Sequence, residues 1–212
     1  MDNPFDYFDK MFCINLDERT DRWELAQKEF ERIGILDKVE RFSAIKENDG
    51  RLGVIKSNLE IVKYAKKNKL NNVLVFEDDV KFVIDNPNEY LSKAISQIGN
   101  LKWSLFYLGA NTHQKLIKLK PNLILLKHAY AVHSMAYSSL VYDKFIRKYE
   151  GMKSISKFPD ILDVYLAQEI QAKETCLMVN PLLTTQRESY SDIEKRVVNY
   201  GFIEERFKKH IE

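Results

Sequence analysis

The sequence predicts an α/β domain with one core, and three observations carry that expectation. Short runs of strand-forming residues alternate with segments whose apolar positions recur at helical spacing, a rhythm that builds sheets with right-handed crossovers. Residues 73–76 (VLVF) are apolar without alternation, as a strand covered on both faces requires. The 212 residues hold only seven Gly and five Pro and no Ser- or Pro-rich tract, so nothing reads as a linker between independent units. A chain of this length buries roughly 70% of its unfolded surface, which supports one sizeable core.

Residues 11–16 (MFCINL) form the first predicted strand, and residues 17–21 supply turn residues and a helix cap. Trp23, Ala26, Phe30 and Ile33 then mark an amphipathic helix that Gly34 ends. A second strand is expected at 41–44. After Gly53, the positions Ile55, Leu59, Val62 and Ala65 predict another helix, followed by the polar stretch 66–72. The 73–76 strand runs directly into Glu77, Asp78 and Asp79, and a helix at 87–98 and a strand at 105–108 repeat the rhythm. The second half is less regular. Segments 115–119 and 123–126 flank a Lys120-Pro121-Asn122 turn, 142–149 and 161–170 predict helices, 176–179 a strand, and 192–211 a charged tail helix interrupted at Gly201. Its apolar positions, Val197, Val198, Phe202, Ile203 and Phe207, are expected to pack on the core.

Thirty-three basic against 31 acidic residues leave a net charge of +2, which removes the bulk attraction that dominates nucleic-acid binding. Cys13 and Cys176 both lie in strand-like apolar stretches, where thiols are buried, and a disulfide framework is excluded. No run of about eighteen apolar residues is present, and the first ten residues lack a basic start or an apolar stretch. A soluble, intracellular protein is expected, in the cytoplasm of a bacterium or, for a viral chain, of a host.

In open α/β sheets ligands bind beyond the carboxyl ends of the strands, where the three consecutive acids fall. On extended backbone Glu77 and Asp79 point to one side and Asp78 to the other, and their mutual repulsion is relieved by a divalent cation such as Mg²⁺ or Mn²⁺. A solvated acidic turn accounts for the same residues equally well. The loop after the first strand, residues 15–22, sets backbone amides, a helix start, Arg19 and Arg22 where a pyrophosphate fits. Alternatively the two arginines are surface charges paired with Asp17, Glu18 and Asp21. Neither a GxGxxG nor a GKS pattern is present. Of the four histidines, His128 and His133 flank residues 129–132, and one of them either adds a nitrogen ligand or rests hydrogen-bonded in the core. Tyr130, Tyr137, Tyr142 and Phe145 read as core.

The segment FCINLDERTDRWE (12–24) resembles the opening strand and loop of family 25 glycosyltransferases, the group containing lipopolysaccharide glycosyltransferases and procollagen galactosyltransferases. FSAI (42–45) is similar to that family's next strand. GVIKSNLEIVKYA (53–65) is similar to its glycine-to-serine helix, with Asn58 where the family carries His. VLVFEDDV (73–80) looks like its acidic motif, WSLFYLG (103–109) like the strand that follows, and VNPLLTTQRESYSDI (179–193) like its closing pattern. The six matches keep the family's order from residue 12 to residue 193.

The resemblance implies a GT-A fold, a Rossmann-like mixed sheet flanked by helices in one domain spanning 1–212. Residues of about 10–110 would form the nucleotide-sugar half, about 111–193 the acceptor half and 194–212 a helical tail. It implies metal-dependent, inverting transfer of galactose, glucose or N-acetylglucosamine from a UDP-sugar to a hydroxyl of a glycan or protein. Mn²⁺ or Mg²⁺ would sit on Asp79 and Glu77, with His133 as a further ligand. Ile14, Asn15, Leu16, Arg19, Arg22, Ala44 and Ile45 would line the nucleotide, Ser57, Asn58 and Asp78 the diphosphate or sugar, and Gln186, Ser191 and Asp192 a closing loop. FPDILDVYLAQE (158–169) looks like the family's proline and aspartate segment. Asp163 is thus the first choice of catalytic base and Asp160 the second, although an Asp near a helix start is also a common cap. A UDP-sugar-binding module without transfer and a metal-dependent nucleotidyltransferase are the alternative functions.

Overall fold

The computed structural model describes residues 3–191 and 195–211, and the Ser191 side chain lies outside that description. The elements run β1 (Met11–Asn15), α1 (Thr20–Arg32), β2 (Val39–Ser43), α2 (Gly50–Lys67), β3 (Asn72–Glu77), β4 (Val80–Phe82), α3 (Pro87–Ile98) and β5 (Leu105–Tyr107). The second half runs β6 (Asn111–Thr112), β7 (Ile117–Lys120), β8 (Leu123–Leu125), β9 (Ala129–Tyr130), β10 (Ser134–Ser138), α4 (Ser139–Tyr149), α5 (Leu162–Tyr165), β11 (Cys176–Val179), β12 (Thr184–Gln186), β13 (Ser189–Ser191), β14 (Arg196–Val198) and α6 (Phe202–Ile211).

Local chemistry sets the helix ends. Asp49, Asn86 and Ser138 cap α2, α3 and α4 by accepting backbone N–H groups of Arg51, Glu89 and Leu140. Gly34 stops the chain after α1 at φ +73°, a left-handed conformation that glycine adopts without strain. No side chain caps the start of α1, contrary to the expected cap within residues 17–21, because its N-cap position is Arg19.

Eight strands form one mixed sheet in the order β2-β1-β3-β10-β5-β11-β8-β7. β2, β1 and β3 are parallel, as are β5 and β11, while β10 lies antiparallel between β3 and β5. Successive side chains of β3 go to opposite faces. Val73 and Val75 join one core with Ile55, Val62, Tyr137 and Phe145, while Leu74 and Phe76 join another with Phe30, Leu91 and Phe106. Helices on both sides bury the sheet twice, which is why the strand reads as an unbroken apolar run. Cys13 and Cys176 are buried free thiols.

Three expectations change. β10 occupies the middle of the sheet, yet its sequence SMAYS begins and ends in serine and gives no strand signal. Both serines are satisfied by partners distant in sequence: Ser134 bonds the Thr184 hydroxyl and Ser138 donates to the Trp103 carbonyl. The helix expected over 161–170 is one α-helical turn continued by a π-helical segment, Leu166–Gln171. In the expected tail helix, Arg196–Val198 is instead a strand paired with β13, and the helix begins after Gly201. Among the described residues no helix is long and apolar enough to cross a membrane.

Candidate active site

Parallel pairing brings the carboxyl ends of β1, β2 and β3 together, with Ile14 opposite both Phe42 and Glu77. Asn15 ends β1 fully buried. Its amide donates 2.7 Å to Asp78 Oδ2 and 3.0 Å to the Arg19 carbonyl, and its Oδ1 accepts from Arg41 Nε at 2.9 Å. One side chain thus ties the first loop, the second strand and the acidic segment together.

The chain turns at Asp78 and Asp79 before β4 begins. That turn overrides the alternation expected of extended backbone and turns Asp78 to the same side as its neighbour. Arg22, in the first turn of α1, places Nη2 2.7 Å from Asp78 Oδ1 and 2.8 Å from Asp79 Oδ2. β12 pairs with β4 so that Gln186 faces Val80, which sets its Nε2 3.3 Å from Asp79 Oδ2 and 3.4 Å from Glu77 Oε2.

These groups form the floor of a cavity of about 350 Å³. Its opposite wall is the segment after β2, held on α2 by Ser57, whose hydroxyl accepts from Ile45 N–H at 2.9 Å and donates to the Gly53 carbonyl at 2.8 Å. A Cβ at Gly53 would lie 2.5 Å from the Ile45 carbonyl oxygen, so only glycine lets the helix approach this wall so closely. Among the described residues, five carboxylates (Glu18, Glu47, Glu77, Asp78, Asp79) and three basic side chains (Arg22, Lys46, Lys195) line the cavity. With all of them ionised, the wall carries two negative charges in excess.

Crowding is costly for the acids. Burial, reinforced by Asp79, raises Glu77 to about 8 despite the opposing Arg22. Burial raises Asp78 to about 6, with Arg22 and the Asn15 amide opposing. Asp79 is only 7% exposed, and its Oδ1 has no hydrogen-bond partner among the described residues. A buried carboxylate oxygen without a donor is able to accept a cation. No three His, Cys, Asp or Glu side chains are gathered to hold a metal among the described residues, so the chain offers a pair of carboxylates rather than a closed cage. That suits Mg²⁺ or Mn²⁺, which take one or two carboxylates and complete their shell with water and phosphate oxygens.

A second cavity, also about 350 Å³, shares Val54, Glu77 and Gln186 with the first. Its wall includes Arg51, Asn111, Tyr130, Asp163, Tyr200 and Phe202. Burial raises the Asp163 carboxyl, opposed by the backbone N–H groups of Ala131 and Val164. Ala131 holds φ +69°, a strained conformation for a residue with a Cβ, directly beside this carboxylate.

A crystal structure of a glycosyltransferase involved in the glycosylation of the major capsid of PBCV-1 matches 94% of this chain and 98% of that chain with a TM-score of 0.54 at 10% identity. The fold is of the GT-A type. At that identity the likeness establishes the fold and nothing finer. UDP-glucose pyrophosphorylase from Acinetobacter baumanii matches less closely, with a TM-score of 0.45 at 11% identity over 79% of this chain and 68% of that chain. No protein-family model matches the sequence. No curated protein matches it either, so the family 25 resemblance rests on the motifs alone.

Within this GT-A frame, Ile14, Asn15, Leu16, Arg22, Ala44, Ile45, Ser57, Glu77, Asp78, Asp79 and Gln186 all line the first cavity, and Asp163 lines the second. Four predicted residues lie elsewhere. Arg19 lines neither cavity and pairs with Asp21 at 3.0 Å. Asn58 faces the core, donating to the Val54 carbonyl and accepting from Tyr137 Oη, each at 2.9 Å. His133 is fully buried, with Nε2 3.3 Å from Thr184 Oγ1, and burial lowers it to about 4, so it is neutral. Asp160 is held by Lys148 at 2.7 Å and by the Lys157 N–H, as a cap would be, outside both cavities. Ser191 contributes its backbone to β13, opposite Arg196, and Asp192 lies outside the described residues.

Sequence reasoning did not single out Glu18, Lys46, Glu47 or Lys195 in the first cavity, nor Arg51, Asn111 and Tyr200 in the second. Tyr130, assigned to the core, is a cavity wall braced edge-on by His113 and His128 at 4.9 and 5.1 Å. A two-residue strand leaves no periodic signal from which its outward face is readable.

Proposed function

We propose that this chain is a metal-dependent glycosyltransferase that moves a sugar from a nucleotide-sugar donor, UDP-linked by the family 25 resemblance, to a hydroxyl acceptor. One observation carries the reading: a negatively charged cavity at the sheet's carboxyl edge opens into a second cavity at Glu77 and Gln186. A diphosphate entering a wall with excess negative charge needs a cation to accompany it. Asp79, through its unpartnered oxygen, together with one neighbouring carboxylate of the acidic segment, would hold that cation. Bound there, it supplies Lewis-acid neutralisation of the departing diphosphate.

The chain's own groups account for the rest. The 44–47 segment and Leu16 shape the nucleotide side, and Ser57 fixes that segment on α2. Asp163 stands in the adjoining cavity as general base. In a single displacement the acceptor oxygen bonds to the anomeric carbon, the bond to the diphosphate breaks, and the hydroxyl proton passes to the Asp163 carboxylate. Attack from the second cavity on a sugar held in the first inverts the anomeric centre.

The test is UDP release from a panel of UDP-sugars with Mn²⁺. Slow hydrolysis of at least one donor, abolished by chelator and by Asp79→Asn, is expected. Pyrophosphate formation from UTP and a sugar 1-phosphate would instead assign a nucleotidyltransferase. Tight UDP binding with no turnover of any donor would assign a binding module.

A further inference from the structure

The acidic corner is closed by one side chain whose hydrogen bonding is incomplete. Arg22 touches both Asp78 and Asp79 through a single nitrogen, Nη2, rather than gripping either carboxylate with the two-pronged fork a structural arginine normally uses. Its Nε is buried and has no partner among the described residues, and neither has Asp79 Oδ1 on the other side of the pair. A buried donor and a buried acceptor are thus both unmatched within one ion pair. The acceptor fits a cation and the donor fits an anion. A divalent cation carrying a diphosphate supplies both at once.

Building on the donor reading above, we infer that Arg22 is an exchangeable stand-in for the cation. Before the donor binds, it pairs with both Asp78 and Asp79 and offsets part of their charge. When the cation and the nucleotide arrive together, it leaves the two carboxylates and turns its freed N–H groups to the diphosphate. A cation alone competes with Arg22 and strands a guanidinium in a wall where it is largely covered. A cation with a diphosphate gives that guanidinium a new partner. Cation and nucleotide therefore bind cooperatively, and Arg22 is the residue that couples them.

Titration calorimetry on the full chain tests this with two probes, Mn²⁺ alone and UDP at saturating Mn²⁺, in wild type, Arg22→Gln and Arg22→Lys. Arg22→Gln is expected to bind Mn²⁺ alone on the order of tenfold more tightly, because the acids lose their competitor, and to bind UDP on the order of tenfold more weakly, within the usual range of coupling between sites. An arginine that merely braced the fold would weaken both. Arg22→Lys is expected to shift both affinities in the same directions by less, and it decides the matter should Arg22→Gln not fold. Mn²⁺ binding equal to or weaker than wild type overturns the inference, as does unchanged UDP affinity or independent binding of Mn²⁺ and UDP by the wild-type chain. If wild type binds Mn²⁺ but no UDP at any Mn²⁺ concentration, the donor reading itself falls and this inference falls with it.

Discussion

The two cavities meet at Glu77 and Gln186 but are built differently. The first hangs on β1, β2 and β3, whose parallel register fixes Ile14 against Phe42 and Glu77, so its floor is placed by the sheet. The second is walled by a two-residue strand at Tyr130, a single α-helical turn at Asp163 and the segment 200–203 ahead of and into α6. In the first cavity the three consecutive acids sit at a strand end and in the turn that follows it, with Arg22 on a helix start, whereas short elements shape the second. Under the proposed function, the sheet-anchored cavity would bind the nucleotide and the cavity walled by short segments would select the acceptor.

Substitutions in the two cavities should fail in different ways, and the largest effects mark the contrast. Asp79→Asn is expected to lower transfer about 10³-fold or more and to abolish the Mn²⁺ response, since it removes the carboxylate charge and exchanges one of its two oxygens for an amide nitrogen. Asp163→Asn is expected to lower kcat roughly 10²–10⁴-fold, the usual worth of a general base, with Mn²⁺ and UDP affinity unchanged. Parallel kinetics and calorimetry on both variants read the split. Loss of UDP binding in Asp163→Asn would show that the cavities do not divide the work.

Next in size is Gly53→Ala. Its new Cβ meets the backbone oxygen of Ile45 at 2.5 Å, and a backbone atom does not swing aside. A loss of about 1–3 kcal/mol in urea unfolding is expected, together with weaker donor binding as the 44–47 wall is pushed outward. Tyr130→Ala makes the opposite test. It should leave stability and UDP affinity near wild type and raise acceptor KM about tenfold, the worth of one lost aromatic contact.

The same difference explains what the sequence made legible. In the first cavity the three acids and the loop carrying Arg22 followed from a strand end and a helix start, whereas Ile14, Ala44, Ile45 and Ser57 were reached through resemblance, and parallel pairing brings the strand ends together. Gln186 was reached only through resemblance, because its place depends on β12 pairing with β4, 106 positions away from Val80 in register. β10 escaped because its bounding serines are satisfied by tertiary partners invisible in the local pattern. Arg22 and Arg19 carry the same side chain three residues apart on one loop, yet only Arg22 reaches the acids. The helix boundary decides that: Arg19 is the N-cap with non-helical backbone at φ −97° and ψ 57°, whereas Arg22 lies in the first turn of α1. Tyr130 and His128 come from one short segment and His113 from another, and no local spacing connects the two segments.

The smallest predicted effect concerns pH. Glu77 and Asp78 have folded-state values near 8 and 6, above their ordinary 4.5 and 3.8. The folded chain therefore binds more protons than the unfolded chain, and their contribution to stability is full below about pH 4 and lost as pH rises through the folded values. His133 works in the other direction. Its folded value of about 4 lies below the ordinary 6.5, so stability falls as pH drops from 6.5 toward 4. The two slopes oppose each other below 6.5, and above it the acids act against no slope from His133. Between pH 6.5 and 8 the melting temperature of the metal-free protein should decline, by roughly 2–4 °C for each kcal/mol lost at this chain length. Glu77→Gln should flatten that decline, because the residue that titrates highest is gone, and saturating Mn²⁺ should reverse it in wild type but less so in the variant. A decline equally steep in Glu77→Gln would move the titrating group out of the acidic corner, and with it the claim that the sheet-anchored cavity carries its unfavourable charge in the absence of a cation.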